Sequence, residues 1–161
     1  MAESLKPRLE AGWLGAVIAQ FPFSFVNGPQ HRAYVCRLRA ALGFPLVAEF
    51  RNDSWFRPET FQFLKGCGVG LVVVDLVPLG GLPRPMAYAT SGLGYVRFHG
   101  RNGHAWRKGV DTKRYEYRYR RKELLSWLPR VRNIEASTEQ TYVMFNNHRH
   151  GHSIEDARRF T

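Results

Sequence analysis

Apolar residues gather along this chain in five short, nearly unbroken runs: AVIAQ at 16–20, LVAEFR at 46–51, LVVVD at 71–75, YVRFH at 95–99 and TYVMFNN at 141–147. Runs of this length, bounded by polar or turn residues, predict buried β-strands. Between the first two, residues 30–42 repeat their apolar positions at helical spacing and stop at Gly43. Between the second and third, a helix is expected to begin at Ser54 or at Arg57-Pro58 and to reach Gly66. The segment 123–128 reads as a further amphipathic helix, stopped by Pro129, and the Pro- and Gly-rich stretch from 77 to 94 reads as a long loop. Strands that are apolar throughout, alternating with helices, indicate an α/β fold with a parallel sheet and outer helices.

Each run ends in polar groups: Gln20, Glu49 with Arg51, Asp75, Arg97 with His99, and Asn146 with Asn147. Side chains alternate across a strand, so Val47, Glu49 and Arg51 share a face, as do Tyr95, Arg97 and His99. In parallel α/β proteins, ligands bind at the C-terminal ends of the strands. The five polar ends are therefore expected to line one pocket. Glu49, Asp75 and His99 are its candidate catalytic groups; Gln20, Arg51, Arg97, Arg101, Asn146 and Asn147 are its candidate substrate-binding groups. Arginine forks suit carboxylate or phosphate oxygens, and an imidazole can exchange a proton near neutral pH. The expected ligand is an anionic or phosphorylated small molecule or nucleotide, handled by hydrolysis or isomerisation. At this level the Glu–Arg pairs could also be purely architectural, since a buried charge needs a partner.

Composition adds a net charge of +11, which attracts anions without naming one. The alternative partner is nucleic acid. The segment KRYEYRYRRK at 113–122 interleaves cations with tyrosines and offers Arg118, Arg120 and Arg121 to phosphates; the competing reading buries the rings and leaves the arginines in water. No cofactor is evident. Glu49, Asp75, His99 and His148 are donors that would suit a divalent metal, but no local ligand pair such as His-Glu-x-x-His supports one, and no metal ligand is assigned. His150 and His152 are placed in a solvated loop. The segment Arg101-Asn102-Gly103-His104 reads as a loop over the pocket, and Trp55 as a cap on its rim. Cys36 and Cys67 are expected to be buried free thiols. No run approaches a membrane span and the N-terminus is too polar for a signal peptide, so the protein is expected to be cytoplasmic, with no membrane partner.

Taken together, AVIAQFPFSF, VAEFRNDSW, VVVD, YVRFHGRNG, YEYRYRRKELLSWL and YVMFNNHRHGHSIEDA resemble the YecE-like proteins, domain of unknown function 72, in order and spacing over most of residues 14–157. The resemblance implies a TIM-type (β/α) barrel of unestablished activity. It places the family's strand-end motifs on Gln20, Phe21 and Pro22, on Glu49, Arg51 and Trp55, on Asp75, on Arg97, His99, Gly100 and Arg101, and on Asn146, Asn147 and His148. Asp156 departs from the family's usual Asn. The resemblance also implies that this single domain, 1–161, corresponds to strands four to eight of eight, with three N-terminal β/α units missing, and that the fragment alone is inactive. A closed barrel needs roughly 200 residues or more. An open arc would expose two sheet edges, which invites self-association. A truncated gene or gene model, a self-associating half barrel and a degenerate remnant are the three explanations; truncation is preferred because unpaired apolar edges promote aggregation.

Overall fold

The computed structural model describes residues 6–8, 10–12, 14–108 and 111–160. Five strands form one parallel sheet in the order β1-β2-β3-β4-β5: β1 (Val17–Phe21), β2 (Leu46–Phe50), β3 (Val69–Asp75), β4 (Leu93–Phe98) and β5 (Gln140–Phe145). All five apolar runs are therefore strands, and the α/β class holds. Helix α1 (Pro29–Leu42) joins β1 to β2, and α2 (Pro58–Gly66) joins β2 to β3. Each begins with a proline in its first turn, where the missing N–H costs nothing. Helix α1 ends at Gly43, whose φ of +67° closes the last turn. The irregular stretch between β3 and β4 is the expected loop.

Between β4 and β5 the structure departs from the pattern expected of the sequence. The expected loop after β4 includes a short helix, α3 (Gly103–Arg107), whose first turn is capped by the Asn102 side chain accepting from the Ala105 N–H. A turn of helix, α4 (Asp111–Arg114), follows it. Pro129 starts a helix rather than stopping one: α5 (Arg121–Leu125) ends early, and α6 (Leu128–Glu135) carries Pro129 in its first turn. A last helix, α7 (His152–Phe160), follows β5, so His152 is helical rather than in a loop.

The helix-facing side of the sheet holds two apolar clusters. Leu46, Ala48, Phe50 and Leu71 of the sheet pack with Val35 of α1 and Leu64 of α2, while Val73, Val96 and Phe98 pack with Leu124 of α5, with Trp127, with Ile134 of α6 and with Phe160 of α7. Trp55 belongs to the first cluster rather than to a rim. Its ring stacks 4.0 Å from Phe50, and its indole N–H donates to the Phe25 carbonyl. Cys36 of α1 and Cys67, just past α2, are joined as a disulfide with Cα atoms 5.6 Å apart, not separate thiols. The opposite, inner face is lined by Ile18, Val47, Val72, Val74, Leu76, Tyr95 and Tyr142. Among the described residues β1 pairs only with β2, and β5 only with β4. No helix of the described residues is long and apolar enough to cross a membrane.

Candidate functional site

Parity along the strands places the polar ends. Glu49 shares the inner face with Val47, and Arg97 with Tyr95, which pairs in register with the inner Val72. Gln20 pairs with Glu49, on the same face as Ile18. These side chains meet over the inner face. The Glu49 carboxylate is fully buried, and three neighbours converge on it: Arg51 Nη2 at 2.9 Å, Arg97 Nη1 at 2.5 Å and His99 Nε2 at 3.1 Å. Arg97 also donates to Gln20 Oε1 at 3.2 Å, so this one guanidinium spans from β4 to both β2 and β1. Asn146 Nδ2 lies 3.2 Å from His99 Nδ1. Gln20, Glu49, Arg51, Arg97, His99 and Asn146 are thus brought together.

The contacts of His99 select one tautomer. Nδ1 accepts from the Asn146 amide, and Nε2–H points toward Glu49, short in distance but off the line of a well-directed hydrogen bond. Burial lowers the His99 pKa below 6.5, outweighing the Glu49 hydrogen bond and charge that raise it, so the ring is neutral at pH 7. Burial alone would raise Glu49. The His99 hydrogen bond and, once the ring is protonated in acid, its charge, then the Arg51 and Arg97 charges, outweigh it and hold Glu49 at about 2. One carboxylate facing two guanidinium groups leaves the cluster with a single excess positive charge.

These two shifts set the acid stability. Unfolded Glu49 takes up its proton near 4.5 and folded Glu49 near 2, so between those values the unfolded chain binds more protons. The Glu49 contribution is complete above pH 4.5 and is lost as pH falls through 2; it amounts to something on the order of 3 kcal/mol. His99 acts in the same direction below its ordinary 6.5, because the unfolded ring charges before the buried one. Urea denaturation followed from pH 7 to 2 should show stability falling through this window. Glu49→Gln should flatten the part between 4.5 and 2; an unaltered slope in the variant would count against the assignment.

The other expected site residues lie elsewhere. Asp75 pairs in register with Phe98 and faces the helix side. There it takes a two-pronged ion pair from Arg101, Nε to Oδ1 at 2.7 Å and Nη2 to Oδ2 at 2.6 Å, and a hydrogen bond from the Trp127 indole N–H. Arg101 reaches on to Glu123, which also accepts from the Tyr117 hydroxyl at 2.7 Å. Asn147, also fully buried, donates to the Tyr117 carbonyl and to Asp156 Oδ2, both at 2.8 Å. Asp156 accepts from the Tyr119 N–H and from Arg159 as well, so its charge is met within α7. Asp75, Arg101 and Asn147 therefore hold the strand ends and their loops to the outer helices, away from the Glu49 cluster.

The donors considered for a metal are divided between the two faces. Among the described residues, no group of three or more His, Cys, Asp or Glu side chains is placed to hold an ion. In the basic segment, the Tyr119 ring is buried and its hydroxyl accepts from the Gly100 N–H, while Tyr117 is partly buried. Arg118, Arg120 and Arg121 are exposed, and Arg118 pairs with Glu155. These two rings are turned inward rather than offered to bases. Two residues at the cluster were not singled out from sequence. Trp106 of α3 lies over the Arg51 guanidinium, 5.8 Å from its ring centroid, and Tyr115 lies beside His99 at 5.9 Å. A tryptophan among Arg and Lys residues in the segment after β4 was the available signal.

The chain matches the model of the family described as "Protein of unknown function DUF72" over residues 1–161. It is 32% identical to the UPF0759 protein YunF of Bacillus subtilis over 96% of its own length and 59% of that protein's. A crystal structure of a DUF72 family protein from Thermotoga maritima superposes with a TM-score of 0.93 at 36% identity, covering 99% of this chain and 61% of that one. A second, from Enterococcus faecalis, gives 0.87 at 31% identity, covering 98% and 64%. The chain spans about three fifths of the length of these relatives. On these matches it belongs to the DUF72 family, with the five-stranded parallel α/β architecture described above.

Proposed function

We propose that the inner-face cluster transfers a proton on an anionic small molecule, with phosphorylated metabolites and nucleotides as the substrate class. The observation that carries this reading is the line of contacts Glu49–His99–Asn146, which holds a neutral imidazole in one tautomer beside two arginines. His99 is the acid–base group. When the substrate displaces the Asn146 amide, Nδ1 accepts a proton from a substrate hydroxyl, a C–H next to a carbonyl, or a water. Glu49 remains ionised throughout and stabilises the imidazolium that forms, because its pKa of about 2 is too low for it to act as the base itself. Arg51 and Arg97 bind the anionic group, and Gln20 with Asn146 orients neighbouring hydroxyls. Ester hydrolysis and isomerisation both begin with such a proton removal.

A screen of phosphate esters and sugar phosphates tests the proposal. His99→Ala should reduce any turnover found by roughly 10²–10⁴-fold, with circular dichroism confirming the fold. Turnover that survives in this variant, or an absence of turnover across the screen in full-length relatives of the family, would defeat the proposal.

A further inference from the structure

We infer that an oxyanion, the phosphate or carboxylate end of a ligand, is held jointly by Arg51 and Trp106 beneath α3. This deepens the function proposed above by giving the anionic group a place, and it rests on that reading for its link to catalysis. Arg51 is 7% exposed. Its Nη2 lies 2.9 Å from Glu49 Oε1, an ion pair without the alignment of a directed hydrogen bond, while its Nη1 is buried and finds no acceptor among the described residues. The indole of Trp106 lies over the same guanidinium, and its Nε1 is likewise buried without an acceptor. Buried donors are nearly always satisfied, since each one left alone costs folding free energy.

Both donors belong to side chains packed against one another, and the local charge favours an anion. Arg51 and Arg97 surround the single carboxylate of Glu49, Arg114 lies on the Trp106 ring at 4.8 Å, and His99 is neutral. A carboxylate or phosphate presents two oxygens and can accept from the guanidinium N–H and the indole N–H together. Because the guanidinium's other arm holds Glu49, the anionic end would sit one side chain away from the Glu49–His99 pair. Both donor atoms are closed off from solvent, so uptake must displace α3 and change the surroundings of Trp106. Gly100, with φ of +89°, and Gly103, the first residue of α3, are the backbone positions best suited to that movement.

Inorganic phosphate and acetate, each titrated into the protein at low ionic strength, provide the test, read by calorimetry and tryptophan fluorescence. Saturable binding is expected, with a fluorescence change that disappears in Trp106→Phe. That variant keeps an aromatic ring but loses the N–H; Arg51→Lys keeps the charge but loses the fork. Each should weaken binding about tenfold or more, whereas Arg37→Gln, on the exposed side of α1, should not. Binding of phosphate alone assigns the seat to phosphorylated ligands, and binding of both anions assigns it to oxyanions in general. No saturable binding of either, or affinity retained in Trp106→Phe, overturns the inference; Trp106→Phe suffices should Arg51→Lys fail to fold. His99→Ala should still bind the anion, so a loss of turnover there leaves this inference standing and separates it from the catalytic one.

Discussion

Glu49→Gln is expected to destabilise the protein by about 3–5 kcal/mol, the range seen when one partner of a buried ion pair is removed. Glutamine keeps the shape of the side chain but can accept through only one oxygen. The carboxylate faces Arg51, Arg97 and His99 Nε2, so the amide nitrogen of the variant must point its hydrogens at another donor. The glutamine oxygen can then serve one arginine but not both, so Arg51 stays buried with its charge uncompensated, and Arg97 keeps its hydrogen bond to Gln20. For a domain of this length, each kcal/mol shifts the melting temperature by about 2–4 °C, so a drop of roughly 10 °C is expected. Adding Arg97→Met should cost less in the variant than in the parent, because the two residues serve one another. A Glu49→Gln protein within 1 kcal/mol of the parent would show that water, and not these side chains, satisfies the carboxylate.

The five strands were legible because each is an apolar run at the spacing a parallel sheet requires. The inner cluster was legible from alternation along β2 and β4 and the residue that follows each, where charged or polar residues interrupt the apolar pattern at Glu49, Arg51, Arg97 and His99. Alternation fixes which residues of one strand share a face; it does not say which face of the next strand matches. In β3 every residue from Val69 to Asp75 is buried, and Leu71-Val72-Val73-Val74 carries no polar mark to set the phase. Asp75 therefore looked equivalent to Glu49, although it lies with Val73 on the helix side. Asn146 and Asn147 pose the same problem in a shorter form. Adjacent residues on extended backbone point opposite ways, and only Asn146 turns inward.

Other features had no local signal. Pro129 is compatible with either end of a helix, and the Ile134 and Val131 that α6 buries against the sheet decide in favour of a start. The Cys36–Cys67 bond joins residues 31 apart, one within α1 and one just past the end of α2, a proximity that only the tertiary fold creates. Trp106 gains its significance from Arg51, which approaches from the end of β2, more than fifty residues earlier in the chain.

Asp75→Asn should lower stability by about 3 kcal/mol, the worth of charge-assisted hydrogen bonds lost to a buried group. Asp75 is fully buried and accepts from three N–H groups, two of Arg101 and one of Trp127. An asparagine offers one oxygen to these three donors and turns its own N–H₂ toward the rest. Arg101, whose side chain is one quarter exposed, can recover part of the loss in water, whereas the fully enclosed Trp127 indole cannot. The consequence reaches beyond stability. Arg101 precedes α3, and its bond to Glu123 couples that loop to Tyr117 and α5. Loosening Arg101 should therefore free the segment that holds Trp106 over Arg51. Hydrogen exchange should report the change as lost protection at Ala105 and Trp106, whose N–H groups bond within the α3 turn, while the strand N–H groups of β2 stay protected. Arg101→Lys should reproduce a weaker form, since an ammonium cannot span both carboxylate oxygens as the fork does. Protection at α3 unchanged in Asp75→Asn, together with a stability loss under 1 kcal/mol, would show that the Asp75–Arg101 pair does not anchor this loop.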